Sequence, residues 1–132
     1  MRRTCFRPVV AALIAAALLV PPLARAGEVT AFSKPAFQAA QDAGKPIVVF
    51  VNASWCVTCR KQKPIVDALI GEPAFAAATV FVVDYDRDKA VLRELGVRDR
   101  STLIAFHGKT ERARSSFVTD PAKIRALFES AL

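Results

Sequence analysis

The chain has little from which to build a metal site. It carries one histidine, His107, and three cysteines, Cys5, Cys56 and Cys59, in 132 residues. Structural zinc takes four ligands, usually two cysteine pairs or a pair with two histidines, so within one chain the ligands run out. A c-type haem needs histidine directly after the second cysteine of C-x-x-C, and Arg60 stands there. A disulfide scaffold needs several bridges between distant segments. The Cys56–Cys59 spacing closes almost no loop and constrains the unfolded chain little. The apolar run from Val9 to Val20 stops at Pro21-Pro22, well short of the about 20 residues that span a bilayer. There is no internal repeat, low-complexity linker or second domain.

The N-terminus has the layout of a secretory signal peptide. Arg2, Arg3 and Arg7 precede the apolar run, and Ala24-Arg25-Ala26 offers a small-x-small cleavage site. Residues 1–26 are therefore expected to leave as a leader, with one domain over 27–132; an uncleaved membrane anchor is the alternative. Cys5 lies on the side that is removed. The net charge of +7 comes from 19 basic and 12 acidic residues. Removing Arg2, Arg3, Arg7 and Arg25 leaves fifteen basic residues against twelve acids, a balance of +3. Nucleic acid as a partner would call for a basic face with interleaved aromatics and conflicts with export. The late arginines Arg98, Arg100, Arg112 and Arg114 read as solvated surface. Export places the remaining cysteines where disulfides persist.

Local signals give the order α-β-α-β-α-β-β-α. Ser33 caps a helix with Pro35 in its first turn, and Gly44-Lys45-Pro46 breaks it. Ile47 to Asn52 reads as a strand buried on both faces. A helix starts at Cys56, carries Ile65, Val66, Leu69 and Ile70 on one stripe, is kinked at Pro64 and ends at Gly71. Thr79 to Val83 is a second strand. Asp86 or Asp88 caps a short helix closed by Gly96. Thr102–Phe106 and Glu111–Val118 pair about the turn His107-Gly108-Lys109. Asp120-Pro121 opens a last helix whose core face is Ile124, Leu127, Phe128 and Ala131. Phe32, Phe37, Phe75, Phe81, Phe106, Phe117 and Phe128 are expected in the core, and His107 on a surface turn. This pattern calls for an α/β fold, a mixed sheet with helices on both faces.

The chemistry concentrates in A-S-W-C-V-T-C-R, residues 53–60. Backbone N–H groups and the dipole at a helix start favour an anion, so a thiolate at Cys56 is stabilised. Cys59 lies one turn in and is more sheltered. Cys56 is thus expected to attack a partner disulfide and Cys59 to resolve the mixed disulfide. The pair is expected at an exposed sheet edge. Arg60 and Lys61 either steer acidic partners or are ordinary solvated helix surface.

W-C-V-T-C-R after a buried strand, Pro64 five residues past Cys59, the segment S-T-L-I-A-F-H-G-K and a terminal helix resemble the thioredoxin superfamily over nearly all of residues 28–132. The form W-C-V-x-C before a basic residue is similar to the C-terminal domain of the bacterial periplasmic thiol:disulfide interchange reductase, and to small exported thioredoxin-like proteins. The resemblance implies a thioredoxin fold and a thiol–disulfide oxidoreductase with a redox-active Cys56–Cys59 disulfide. Trp55, Pro64, Ser101 and Thr102 would shape its site. It implies no metal or organic cofactor, protein disulfides and dithiols as partners and a membrane electron-transfer protein that keeps the pair reduced; the leader makes the expected location periplasmic, and a monomer is expected. The expected direction is reductive, with cytochrome c maturation as one setting.

Three departures from that family stand out. Ser101 replaces the cis-proline; a cis bond before serine costs about 2.5–4 kcal/mol, so a trans bond is expected. Phe50 replaces a buried aspartate and Val82 its lysine partner, which leaves Asp84 and Asp86 as nearby acids of unassigned role. Two alternatives from other classes remain. One is a metal-handling module that uses the cysteine pair, opened by loss of the proline. The other is a non-enzymatic interaction domain presenting the Arg98–Arg114 region.

Overall fold

The computed structural model describes residues 25–132, so the expected leader falls outside the described residues except for Arg25 and Ala26. The elements are β1 (Glu28–Ala31), α1 (Lys34–Asp42), β2 (Pro46–Asn52), α2 (Val57–Ile70), a 3-10 turn (Pro73–Phe75), β3 (Thr79–Asp84), α3 (Lys89–Glu94), β4 (Thr102–His107), β5 (Thr110–Ser116) and α4 (Pro121–Ser130). The strands form one sheet in the order β1-β3-β2-β4-β5. β3 runs parallel to β1 and β2; β4 runs antiparallel to β2 and β5. The expected mixed sheet with helices on both faces is what the chain forms.

Alternation along β2 builds both cores. Val48 and Phe50 face the layer of α2 and α4, meeting Val66, Leu69, Ile124 and Phe128. Ile47, Val49 and Val51 face α1 and α3, meeting Phe37 and Leu92. A strand apolar on both sides is stable only when covered on both sides, and this one is. Pro46, which has no N–H to give, begins the strand, a position proline tolerates.

The ends of the elements show which cap signals operate. Asp120 Oδ1 accepts from the N–H of Ala122 at 2.8 Å and of Lys123 at 3.4 Å, and Pro121 follows. Ser33 holds the N-cap position of α1 in an extended conformation, but its side chain makes no cap bond. Asp88 precedes α3, yet its carboxylate turns back to accept from Asp84 N–H. Gly108 turns β4 into β5 at φ 57°, a region open to glycine without steric cost. Gly71 ends α2 in the right-handed region rather than the left-handed one.

Three expectations change. β1 and the Pro73–Phe75 turn are additional elements; β1 is a mostly exposed edge strand, so it shows no apolar pattern. Phe117 lies past β5 at φ 61° and is 46% exposed rather than in the core; the left-handed residue turns its ring outward. His107 is half-buried at the end of β4, and its Nδ1–H donates to Ala131 O at 2.9 Å, tying α4 to the sheet.

The α1 side of the sheet rests on an aromatic cluster. Phe81 packs against Phe37 at 5.6 Å and Phe32 at 6.0 Å. We expect Phe81→Ala to cost about 3–5 kcal/mol, read as a lower urea midpoint at unchanged slope. A loss below about 1 kcal/mol would mean that this layer is not close-packed.

Candidate active site at the end of the central strand

β2 delivers the chain to the site. Past Asn52, Ala53 O accepts from Cys56 N–H at 3.1 Å, closing a turn that brings the cysteine to the start of α2. Cys56 is the N-cap of that helix, and its sulfur accepts from Cys59 N–H at 3.1 Å. A thiolate in that place meets backbone donors that have no partner inside the helix. Cys59 sits one turn further in. The exposed sheet edge expected for the pair is not where it lies. β2 is the central strand, and the sulfurs are enclosed, with Cys56 2% and Cys59 0% exposed. Both are free thiols here, the reduced form of the expected disulfide.

Ser101 reaches both sulfurs. Its Oγ lies 3.0 Å from Cys56 Sγ and 3.2 Å from Cys59 Sγ. The peptide bond before it is trans, as expected, and the residue takes φ 59°, unusual for a side chain other than glycine. Its N–H donates to Val51 O at 2.9 Å. Its carbonyl accepts from Phe117 N–H at 3.0 Å and from Gln62 Nε2 at 3.1 Å. Gln62 Nε2 also donates to Val118 O at 2.7 Å. The glutamine is fully buried in α2, a turn beyond Cys59.

The two thiols are driven apart. Burial pushes the Cys56 thiol up. Hydrogen bonds with the Cys59 side chain, with Ser101 and from the Cys59 backbone, together with the charge of Arg100, outweigh burial and leave it below the ordinary thiol value. Burial also pushes up Cys59, and the hydrogen bond it shares with Cys56 raises it further against the help of Ser101 and the Ala53 backbone. Arg100 lies over Trp55 at 5.1 Å and over Phe117 at 5.5 Å, a guanidinium between two aromatic rings.

Of the other expected site residues, Trp55 is 52% exposed beside the pair, and its Nε1–H donates to Asp86 at 2.8 Å. That gives Asp86 a role that sequence did not assign. Asp84 instead accepts from Asp86 N–H and Arg87 N–H in the turn after β3. Thr102 is buried, but its hydroxyl bonds Asp99 O and Ser116 Oγ, each at 2.8 Å, holding the loop rather than the sulfurs. Pro64 lies inside α2, lining an open groove with Leu69 and Arg125 on the α4 side. Gln62 and Arg100 were not foreseen. A signal for Gln62 was there: it is a polar residue on the buried stripe Cys59, Gln62, Val66, Leu69. Among the described residues no group of three or more His, Cys, Asp or Glu converges to hold a metal ion.

Comparison with known proteins agrees with this geometry. The thioredoxin family model matches residues 28–129. A thioredoxin of Aspergillus fumigatus is 32% identical over 66 residues, 50% of this chain, which spans 60% of that protein. The crystal structure of Trxlp from Edwardsiella tarda superposes with a TM-score of 0.73 at 36% identity, covering 75% of this chain and 97% of that one. The structure of a thioredoxin from Malassezia sympodialis superposes at 0.69 with 22% identity, over 81% and 95%, a likeness of fold. The family match over most of the chain, with a C-x-x-C pair at the start of α2, leads to one conclusion: the chain belongs to the thioredoxin family of thiol–disulfide oxidoreductases.

Proposed function

We propose that the protein is an exported reductant of protein disulfides in which Cys56 is the nucleophile and Cys59 the resolving thiol. The observation that carries the assignment is the asymmetry of the pair. Cys56 sulfur takes a backbone N–H at the start of α2 and lies below the ordinary thiol value, whereas Cys59 lies above it. Near neutral pH Cys56 thus supplies the larger share of thiolate, the attacking species. The thiolate displaces one sulfur of a partner disulfide, forming a mixed disulfide. Cys59 then loses its proton, attacks Cys56 sulfur and releases the second partner thiol.

The reducing direction rests on the similarity of W-C-V-T-C-R to the interchange reductase domain. A strongly stabilised thiolate would make the couple oxidising, and burial limits how far the bonds to Cys56 lower it. Export rests on the composition of residues 1–26 and on the first residue after them. Gly27 N lies 2.8 Å from Ile70 O, the last residue of α2, and a Cβ on Gly27 would come within 2.5 Å of Ile70 Cδ1 and Phe75 O. Cleavage after Ala26 would leave a positive amino group at a helix C-terminus, where a cation is favoured. A periplasmic dithiol of this kind draws its electrons from a membrane electron-transfer protein. The similarity of W-C-V-T-C-R to the interchange reductase domain makes cytochrome c maturation one setting. The two alternatives have less behind them. The described residues bring no further metal-ligating side chains to the sulfurs. Arg114, in the basic region, is already engaged by Glu111 and the carbonyls of Leu95 and Gly96.

Two outcomes test this reading. We expect Cys56→Ser to abolish insulin disulfide reduction and Cys59→Ser to accumulate mixed disulfides; full activity in both variants would reject it. The potential of the pair should fall near about −270 mV against glutathione, whereas a value near about −120 mV would reverse the direction.

Arg100 supplies a third. Removing its positive charge disfavours the thiolate, so Arg100→Gln should raise the pH midpoint of Cys56 alkylation and slow alkylation at pH 6–7. An unchanged midpoint would show that the guanidinium serves the two aromatic rings and not the sulfur.

A further inference from the structure

We propose that the Ser101 hydroxyl is a catalytic group of the exchange, donating its one proton to whichever of the two sulfurs carries the negative charge. The inference rests on the assignment of Cys56 as nucleophile and Cys59 as resolving thiol. It goes beyond that assignment in giving both steps one side-chain donor.

The geometry admits few arrangements. A serine hydroxyl donates one hydrogen bond and can accept others. Its oxygen is within bonding distance of both sulfurs, at 3.0 and 3.2 Å, in a place closed to solvent. With Cys56 ionised, the one proton of the Ser101 hydroxyl faces Cys56 sulfur, and the Cys59 S–H has the Ser101 oxygen, Cys56 sulfur and Val51 O as acceptors within reach. Once Cys56 has attacked, it is neutral and bonded to the partner, and the partner's displaced sulfur is the anion. That sulfur takes up a proton and Cys59 gives one up, the exchange passing through bulk solvent. Cys59 is now the thiolate, and rotation about one C–O bond turns the hydroxyl toward it. Cys59 then attacks Cys56 sulfur, the Cys56–Cys59 disulfide forms, and the second partner sulfur leaves and is protonated by solvent. Two electrons pass from the pair to the partner, and the serine ends the cycle unchanged.

Among the described residues the other group that favours a Cys59 thiolate is a backbone hydrogen bond from Ala53, which cannot turn to follow the charge as a hydroxyl can. Among the described residues no carboxylate is hydrogen-bonded to either sulfur. Phe50, in the core beside the pair, brings no acid. Of the charged side chains on the surrounding elements, Arg100 acts on Cys56 and Asp86 is committed to Trp55, while Arg60 and Lys61 on α2 and Arg98 and Asp99 before Ser101 have no hydrogen bond to either sulfur. Cys59 sulfur also lies 3.8 Å from Val51 O, an acceptor that holds a thiol but repels a thiolate. The hydroxyl is also held in place. The carbonyl of Ser101 is tied to α2 by Gln62, so the helix that carries Cys59 fixes the loop that carries the donor. Gln62 is a positioning residue.

Glycine adopts φ 59° freely, so Ser101→Gly deletes the hydroxyl and leaves the backbone unstrained. The full chain is used with Cys5→Ser, so that only the pair reacts. Mixed with a dithiobis-nitrobenzoate reagent, the first thionitrobenzoate released reports attack by Cys56 and the second reports resolution by Cys59. For Ser101→Gly we expect the second phase to slow by roughly tenfold or more, the effect of losing one hydrogen bond to a charged group. The pH midpoint of Cys56 alkylation should rise by about one unit. Ser101→Ala removes the same hydroxyl but strains the loop; it should reproduce both shifts with a lower melting temperature. Wild-type rates in Ser101→Gly, or slowing in the glycine variant that the alanine variant lacks, would overturn the proposal. If the parent chain itself releases only one thionitrobenzoate, it is the redox assignment that fails.

Discussion

Strand β2 is bonded on both edges and covered on both faces, and the site inherits its rigidity. Because Ile47 to Val51 are apolar throughout, a slip of one residue would expose no polar group; pattern alone does not fix the register as it does in a half-buried strand. The ends fix it. At the start stands Pro46, which lacks a donor. At the finish, Val51 O takes the N–H of Ser101, Asn52 O that of Tyr85, and Ala53 O that of Cys56. Three loops are thereby pinned to three consecutive carbonyls. One of them brings the cysteines, one brings Ser101, and one carries Asp86 to Trp55. Moving the strand by a single position would break all three together.

Enclosure makes the pair work as two different thiols. Burial alone would raise both, since it penalises either anion. What separates them is the sense of their hydrogen bonds. Cys56 accepts from the Cys59 N–H and from the Cys59 side chain, whereas Cys59, though favoured by an Ala53 backbone bond and by Ser101, turns its own proton toward Cys56 and Val51 O. The difference follows from helix geometry. The first turn of α2 presents donors outward, so the N-cap sulfur is served and the sulfur one turn inside is not. Trp55, held by Asp86 and covered by Arg100, leaves an apolar and cationic rim around a thiol that is itself nearly closed off. A partner disulfide must therefore press into the rim to reach Cys56.

The parts of this that sequence made legible are those in which one signal dominates. The all-apolar Ile47–Val51 run, the Asp120-Pro121 cap and the C-x-x-C at a helix start each have a local cause. The misses have a common cause of another kind. β1 is held by backbone bonds to β3 and shows almost no buried side chain, so no periodicity marks it. Phe117 is apolar enough for the core, but a single positive φ turns it out to meet Arg100. His107 looked like a turn residue because its acceptor, Ala131 O, lies at the far end of the chain. Gln62 was readable in principle, as a polar residue on a buried stripe, but its partner was not. The carbonyl it serves belongs to a loop whose conformation no local rule gives.

That loop turns on Ser101. A left-handed residue other than glycine costs about 1–2 kcal/mol, and it persists only where the surroundings over-determine it. Here three bonds do so, from its N–H to Val51 O and to its carbonyl from Phe117 and Gln62. At a net 0.5–1.5 kcal/mol each they outweigh the strain. Proline at this position would have no N–H for Val51, and its φ near −65° excludes the left-handed region. The serine is therefore a different solution from the family's cis-proline, one in which its amide, carbonyl and hydroxyl are all in use. The amide and carbonyl hold the turn so that the hydroxyl has one place to be, between the two sulfurs. A buried hydroxyl with both neighbours reactive is costly to orient wrongly, because an unpaired polar group in that enclosure loses about 1–3 kcal/mol. The enclosure thus enforces the proton arrangement: while one sulfur is an anion the donor faces it, and when the charge moves the donor follows.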